Sequence, residues 1–399
     1  MHETISPSDV YDKDLNFLFG SGASAGLFPT LALKINNDQG EAWTLEELAT
    51  HFEVNSDPRY IPLFMHYYNT CIHPAQVFDV ASTIGKAESA EVVGNYRRFL
   101  ENVLGILQRR KPMERRCNLF TTNYDGCFPL IADQILRDGD IDFVLNDGAR
   151  GFRRRYLQAR NFNTYLCETG IFERHQTSIP QINLAHVHGS VYWQKEGAAN
   201  IVVDYDTGAI RNFLDADAQA RLADFSACLD SPEATLADLK LPEISEQDRQ
   251  TFMEAYQRLP IVNPTKWKFH ETVFEEHYYQ TLRMLSYELE KPNAVLITFG
   301  FSFADEHILN LVKRSLSNPD LQMFVCCYSE RTRDALQAEF KRYPNVRCLA
   351  LPDARMDFTA FNERVFSLDV TPQQDPKPAQ AANEPVIAVA EPNDDGVAA

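Results

Sequence analysis

Hydrophobic positions along the chain fall into short unbroken runs, separated by longer stretches in which they recur every three or four residues. The unbroken runs lie at residues 15–19, 118–121, 182–187, 294–299, 323–328 and 346–351. Runs of that length predict strands buried on both faces of a parallel sheet. The three-to-four spacing predicts helices. Residues 44–52 form one, with Thr44 placed to cap it. The spacing recurs at 77–84, 92–107, 128–136, 215–225, 243–259, 277–289, 306–316 and 331–342. Runs and spacings alternate toward the end of the chain, which predicts an α/β fold: a Rossmann-like parallel sheet with helices on both faces. Residues 43–116 read as a helical elaboration after the first strand, and the acidic stretch 204–258 as an inserted helical module for packing and assembly. Residues 1–369 then make one domain. Residues 370–399 are rich in Pro, Ala and Gln with few large apolar side chains, and are expected to be a disordered tail.

The chemistry lies where the strands stop. The run at 15–19 ends in Gly20, Ser21, Gly22, Ala23 and Ser24, a loop in which no side chain exceeds a hydroxymethyl group. So bare a backbone can approach a ligand closely and point its N–H groups at a phosphate, although a tight structural turn would use the same glycines. The run at 118–121 ends in Thr122, Asn123, Tyr124 and Asp125. Asn and Asp there suit either a ligand or the start of the next helix. The run at 182–187 ends in His188, Gly189 and Ser190. His186 and His188 share a face in a strand, which permits a metal pair, but no third ligand is spaced nearby. Gly189 leaves the imidazole of His188 open to a ligand. The run at 294–299 ends in Gly300, Phe301 and Ser302, with Asp305 soon after. Ligands of open parallel sheets bind outside the carboxyl ends of the strands. The four polar clusters therefore predict one cleft.

Composition narrows what that cleft could serve. With 44% hydrophobic and 24% charged residues, the 399-residue chain reads as a soluble globular protein. A formal net charge of −18 argues against coating DNA or an anionic membrane unaided. No apolar run approaches bilayer length and the polar N-terminus lacks the form of a signal peptide, so the cytoplasm is expected. Eight cysteines include no Cys-x-x-Cys pair, which predicts neither a zinc ribbon nor a structural metal. The most basic stretch, residues 149–156, could meet phosphates, a neighbouring subunit or nucleic acid, or be a solvated loop.

In their order, the strand ends resemble the motifs of the sirtuin family. Gly20 to Ser24 matches a Gly-Ala/Ser-Gly-x-Ser loop, Thr121 to Asp125 a Thr-x-Asn-x-Asp block, His188 and Gly189 a His-Gly pair, and Gly300 to Ser302 a late Gly-x-Ser. The chain looks most like the sirtuin-like NAD-hydrolases of bacterial antiphage defence. Their versions read Thr-Thr-Asn-Tyr-Asp, His-Gly-Ser and Gly-Phe/Tyr-Ser-Phe-x-Asp-x-His, and residues 300–307 match the last. The resemblance implies a Rossmann-like domain that takes NAD+ as its substrate. It implies that the loop from Gly20 to Ser24 holds the pyrophosphate and that Asn123 orients the ribose and the attacking water. Asp125, beside Thr122, would hold the nicotinamide amide. Ser302 and Asp305 would contact the adenosine ribose, with Gly189 and Gly300 also in the binding site. Histidine is the side chain type whose ordinary range suits proton transfer near neutrality, so His188 is the expected general base.

Two departures from deacylating sirtuins shift the expectation. Their Gln before the motif Asn is Thr122 here, and their four-cysteine zinc module is missing. Both weaken protein deacylation and leave cleavage of the nicotinamide–ribose bond intact, since that step needs no metal. The expected activity is NAD+ glycohydrolysis, arresting an infected cell by NAD+ depletion. The alternatives are an NAD-dependent protein deacylase and a non-catalytic assembly subunit that senses NAD or ADP-ribose. Unrestrained NAD+ consumption would poison the host, so a homo-oligomer under the control of a partner is expected, acting through residues 43–116 and 204–258. The resemblance implies a HerA-type ATPase as that partner. Neither sequence-specific nucleic-acid binding nor membrane binding is expected.

Overall fold

A computed structural model of the chain describes residues 5, 7–169, 176–197, 200–206, 208, 210–263 and 276–366, all within one compact unit, Met1–Leu368. The tail expected from residue 370 falls outside the described residues.

Seven parallel strands form the central sheet. They are β1 (Asp14–Phe19), β2 (Arg116–Thr121), β3 (Val144–Asn146), β4 (Gln181–His186), β5 (Ala294–Phe299), β6 (Gln322–Cys326) and β7 (Val346–Leu349). Their order across the sheet is β7-β6-β5-β1-β2-β4-β3. The longer helices are α1 (Leu45–Val54), α2 (Tyr60–Tyr67), α3 (Ala87–Gln108), α4 (Cys127–Asp138), α5 (Ala216–Leu229), α6 (Glu246–Tyr256), α7 (Glu276–Leu289), α8 (Glu306–Ser315) and α9 (Glu330–Glu339). Alternation along the strands sends each side chain to its layer. Phe17 and Phe19 meet Phe99 of α3, and Phe19 also meets Phe128 of α4. Leu18 and Phe120 point the other way, into the core shared with α7, α8 and α9. The sheet is thus covered on both faces, which is why its strands read as unbroken apolar runs.

Helix α1 begins as its sequence predicts. Thr44 Oγ1 accepts from the Glu47 N–H while Glu47 Oε2 accepts from the Thr44 N–H, a reciprocal cap. The helix expected over 77–84 does not form. Asp79 Oδ1 takes the Ala81 N–H, the Ser82 hydroxyl donates to the Asp79 carbonyl, and only a short 3-10 turn, Val80–Thr83, results. Local side-chain bonds of this kind compete with helix.

The first part of the elaboration, through residue 75, and the insert prove to be one module, whereas α3 covers the sheet. Phe52, Leu63 and Tyr68 from the first share a core with Leu222, Phe225 and Phe252 from the second, and Tyr68 stacks on Phe213 with centroids 4.5 Å apart. Burying one stretch against the other leaves each with less free surface for a partner than two separate helical blocks would have.

A row of amides crosses the sheet at mid-height. Asn16, Asn118, Asn183 and Asn146 are register partners on β1, β2, β4 and β3. Asn118 Nδ2 donates to Asn16 Oδ1 (2.8 Å) and to Glu288 Oε2 of α7 (3.0 Å). Asn183 Nδ2 donates to Asn118 Oδ1 (2.9 Å), and Asn183 Oδ1 accepts from Asn146 Nδ2 (3.0 Å) and Gln181 Nε2 (2.7 Å). Lys291 closes the chain on Glu288 at 2.6 Å.

Candidate functional site

Four strand ends lie level. Phe19 is the register partner of both Phe299 and Thr121, and Thr121 of His186. The residues that follow therefore emerge on one edge of the sheet. From β1 the chain first builds outward through β2, β3 and β4, then returns to β5 on the other side, so the switch point lies between β1 and β5.

At that point two glycine loops are pressed together. The Gly20 N–H donates to the Phe299 carbonyl and the Gly22 N–H to the Gly300 carbonyl, both at 3.0 Å, while the Ala23 N–H turns back to the Gly20 carbonyl. A Cβ on Gly20 would stand 2.5 Å from the Gly300 oxygen, and one on Gly300 would stand 2.6 Å from the Ala23 nitrogen. The tight structural turn is thus one use of these glycines. Three of its N–H groups are spent on backbone carbonyls, and the glycines are there to let loop meet loop. Gly20 lines neither of the two cavities described below; Ser21 lines one, and Gly22 and Ala23 the other.

Ser24 is the hub of the next layer. Its Oγ lies 2.7 Å from Asp125 Oδ2, 2.7 Å from Tyr96 Oη and 3.2 Å from Asn123 Nδ2. A carboxylate can only accept and an amide nitrogen only donate. Ser24 therefore donates to Asp125 and accepts from Asn123, which leaves Tyr96 to donate to Ser24. All four side chains are buried. Burial, then the Asp125 charge, pushes the Tyr96 phenol well above its ordinary range, so it remains a donor. Asp125 also serves the structural role its residue type allows, since Oδ1 accepts the Cys127 N–H at the start of α4. Asn123 Oδ1 takes no bond from the described residues.

His188 and His186 part company after β4. His188 Nε2 lies 3.0 Å from Asp305 Oδ2, and both side chains are nearly buried. Asp305 Oδ1 accepts the N–H groups of His307 and Ile308, capping α8, so the carboxylate that orients His188 is itself fixed. Phe303 is held at a φ of +59°, disfavoured for a bulky residue, and its ring packs on Phe340. That turn delivers Asp305 to the histidine. The Asp305 side chain lines the His188 cavity and not the second one. Gly189 serves the backbone. It lines neither cavity, and a Cβ there would stand 2.0 Å from the Pro260 oxygen, so it is glycine to admit the strap at 260–262. The Val262 N–H donates to the His188 carbonyl and the Tyr124 hydroxyl to the Val262 carbonyl, tying that strap to the site.

His186 points into the protein. Its Nδ1 lies 3.0 Å from the Asn123 carbonyl, which can only accept, so Nδ1 carries the proton. Nε2 has no hydrogen-bond partner among the described residues, and burial pushes this histidine below its ordinary value of 6.5. The unfolded chain takes up a proton near pH 6.5 that the native protein refuses, so stability is full above that pH and is lost as pH falls below it. His66, also pushed down by burial, adds to the slope. The melting temperature should accordingly fall between neutrality and about pH 5, and His186→Asn should make the decline shallower. A melting temperature flat over that range would contradict the assignment.

Two cavities meet at the switch point. The first, about 200 Å³, is walled by Ser21, Ser24, Thr122, Asn123, Asp125, His188, Ser302 and Asp305, and the second, about 610 Å³, lies beyond Gly22 and Ala23. They share Gly300, Phe301 and Ser302 as wall residues. The helical block supplies Glu46, Tyr67, Cys71 and Ile72 to the first cavity. Burial pushes the Cys71 thiol up to about 11, which keeps it protonated and unreactive at neutrality. Nothing in the sequence singled out Tyr96 or these wall residues, because each sits in an ordinary amphipathic helical pattern. Among the described residues no three His, Cys, Asp or Glu side chains gather as a metal site, and no helix is long and apolar enough to cross a membrane.

Fold and site define a Rossmann-like α/β protein with a polar cleft at the carboxyl edge of its sheet. No protein-family model matches the chain, and no curated protein matches it.

Proposed function

We propose that the chain is an NAD+ glycohydrolase, converting NAD+ and water to nicotinamide, ADP-ribose and a proton. The observation that carries this reading is the His188–Asp305 pair, 3.0 Å apart, in the same cavity wall as Asn123 and Asp125. The oxygen of water bonds to C1′ of the nicotinamide ribose as the glycosidic bond breaks. The bonding electron pair goes to the ring nitrogen, which becomes neutral, and the proton of water goes to His188. With Nε2–H held by Asp305, Nδ1 is the nitrogen with a free lone pair, and the carboxylate stabilises the imidazolium that forms. Asn123 Oδ1 accepts from the ribose hydroxyl or the attacking water. Asp125 uses its remaining lone pairs on the nicotinamide amide, beside Thr122.

Charge supports the same reading. The transition state is an oxocarbenium-like ribose, and Glu46, Asp125 and Asp305 line the cavity, with no Lys or Arg among its described lining residues. Fixed carboxylates in a dry site stabilise such a cation without reorganising. The adenosine half would lie in the second cavity, across Ser302, with the pyrophosphate passing Ser21, Gly22 and Ala23. On the resemblance, the reaction serves cytoplasmic antiphage defence by NAD+ depletion, with a HerA-type ATPase as partner.

Incubating the purified protein with NAD+, with and without an acylated peptide, tests the activity. Nicotinamide released without peptide is the expected result. Release only with peptide would make the protein a deacylase, and binding without release would make it a sensor.

A further inference from the structure

One face of the molecule differs from the rest in charge. Residues 149–166 hold five arginines and neither Asp nor Glu, in a chain of net charge −18. They include the hairpin of Ala149–Arg150 with Tyr156–Leu157, at whose turn Phe152 is fully exposed and Arg153 and Arg154 are exposed. The turn is pinned. A Cβ on Gly151 would stand 1.7 Å from the Arg154 oxygen, Arg155 pairs with buried Asp147 at 2.7 Å, and the Tyr156 hydroxyl donates to Glu196 at 2.6 Å. Arg154 pairs with the same Glu196. Arg150 donates to Thr164 Oγ1 at 2.6 Å, joining the hairpin to the segment that exposes Tyr165 and Leu166.

A solitary exposed Phe needs no explanation. One fixed on a braced turn, among arginines and beside two further exposed apolar side chains, has the make-up of an interface centre, where aromatic residues and Arg dominate. Bracing also removes most of the entropy cost of ordering it on binding. Arg154 and Arg155 are already paired with carboxylates, so the patch offers a phosphate strand little net charge. It is better suited to a protein surface bearing a few acidic groups around an apolar contact.

The chain carries such a surface itself. Residues 204–258 hold twelve Asp or Glu against five Lys or Arg. On α5 and α6, Asp224 and Glu254 are exposed and have no ion pair among the described residues, as is Glu233 between the two helices. We propose that the patch around Phe152 docks on the acidic insert of a second copy of this chain. Patch and insert are different surfaces, so the contact is head-to-tail and closes into a ring or runs on as a filament.

Two variants of the full-length chain test this by light scattering. Phe152→Ser with Arg153→Glu breaks the patch, and Asp224→Arg with Glu254→Arg breaks the insert. The wild type should have the mass of several chains. Each variant should have the mass of one, with its melting temperature unchanged because all four positions are exposed. An equimolar mixture should give the mass of two, since one intact patch then meets one intact insert. A monomeric wild type, a variant that assembles like the wild type, or a mixture that stays monomeric would overturn the proposal. So would a wild-type monomer that holds a single-stranded oligonucleotide which the Phe152 variant loses.

Discussion

His188→Ala and Asn123→Ala should each lower NAD+ turnover by about a hundred- to ten-thousand-fold, the usual cost of losing a general base or its equivalent in positioning. Both variants should fold and still bind NAD+, because neither residue anchors the sheet. His188 is a last-turn residue whose backbone, not its ring, holds the strap at Val262. Asn123 gives Ser24 one of its three hydrogen bonds, and losing one such bond costs about 1 kcal/mol of stability. Asp305→Asn should fall between wild type and His188→Ala, since an amide can occupy the same place without stabilising the imidazolium. His186→Ala is the control. It opens a cavity and frees the Asn123 carbonyl, so it should lower the melting temperature more, and the rate of the folded protein less, than His188→Ala. Turnover at the wild-type rate in the His188 variant would remove the glycohydrolase proposal. Equal losses at both histidines would remove the division of labour between them.

The parts of this arrangement that could be read from the sequence share one cause. A strand buried on both faces is mostly apolar, so β1, β4 and β5 appear as runs despite the buried Asn16 and Asn183, and whatever ends a run must stand at the sheet edge. That logic located Asn123, Asp125, His188 and Ser302 without any knowledge of register. It could not find β3, whose three half-buried residues, Val144–Asn146, leave no run to see. Nor could it decide what a glycine is for. Gly20, Gly22 and Gly189 need their missing side chains as surely as a ligand loop would, but the space is taken by Gly300 and Pro260, residues far away in sequence. The Asp305–His188 pair escaped for the same reason: each residue is predictable as a strand-end polar group, and only the crossing of the chain at the switch point makes them neighbours. Tyr96 looked like core, and its ring is core. Its hydroxyl is what reaches Ser24.

Asn118→Leu should cost about 3–5 kcal/mol, although Leu fits the volume and suits a buried strand. The side chain donates to Asn16 and Glu288 and accepts from Asn183, so its removal leaves an amide oxygen, an amide N–H and part of a carboxylate unpaired inside the protein. Each such group costs about 1–3 kcal/mol to bury unsatisfied. Glu288 keeps Lys291, which holds the total below the sum of the three. A fall of about 5 °C in melting temperature would follow. Turnover per folded molecule should hardly change, because the amide row lies three residues below the strand ends in β1, β2 and β4, about 10 Å from the site. Replacing Asn16, Asn118, Asn183, Asn146 and Glu288 together with apolar residues should recover much of the stability, since a buried polar set is costly to break and cheap to replace whole. What the full replacement should lose is register. A one-residue slip of β2 swings Asn118 to the opposite face and away from Asn16, Asn183 and Glu288, and with an apolar row that penalty is gone. If Asn118→Leu melts with the wild type, the row contributes neither stability nor register, and apolar burial alone aligns the four strand ends on which the site depends.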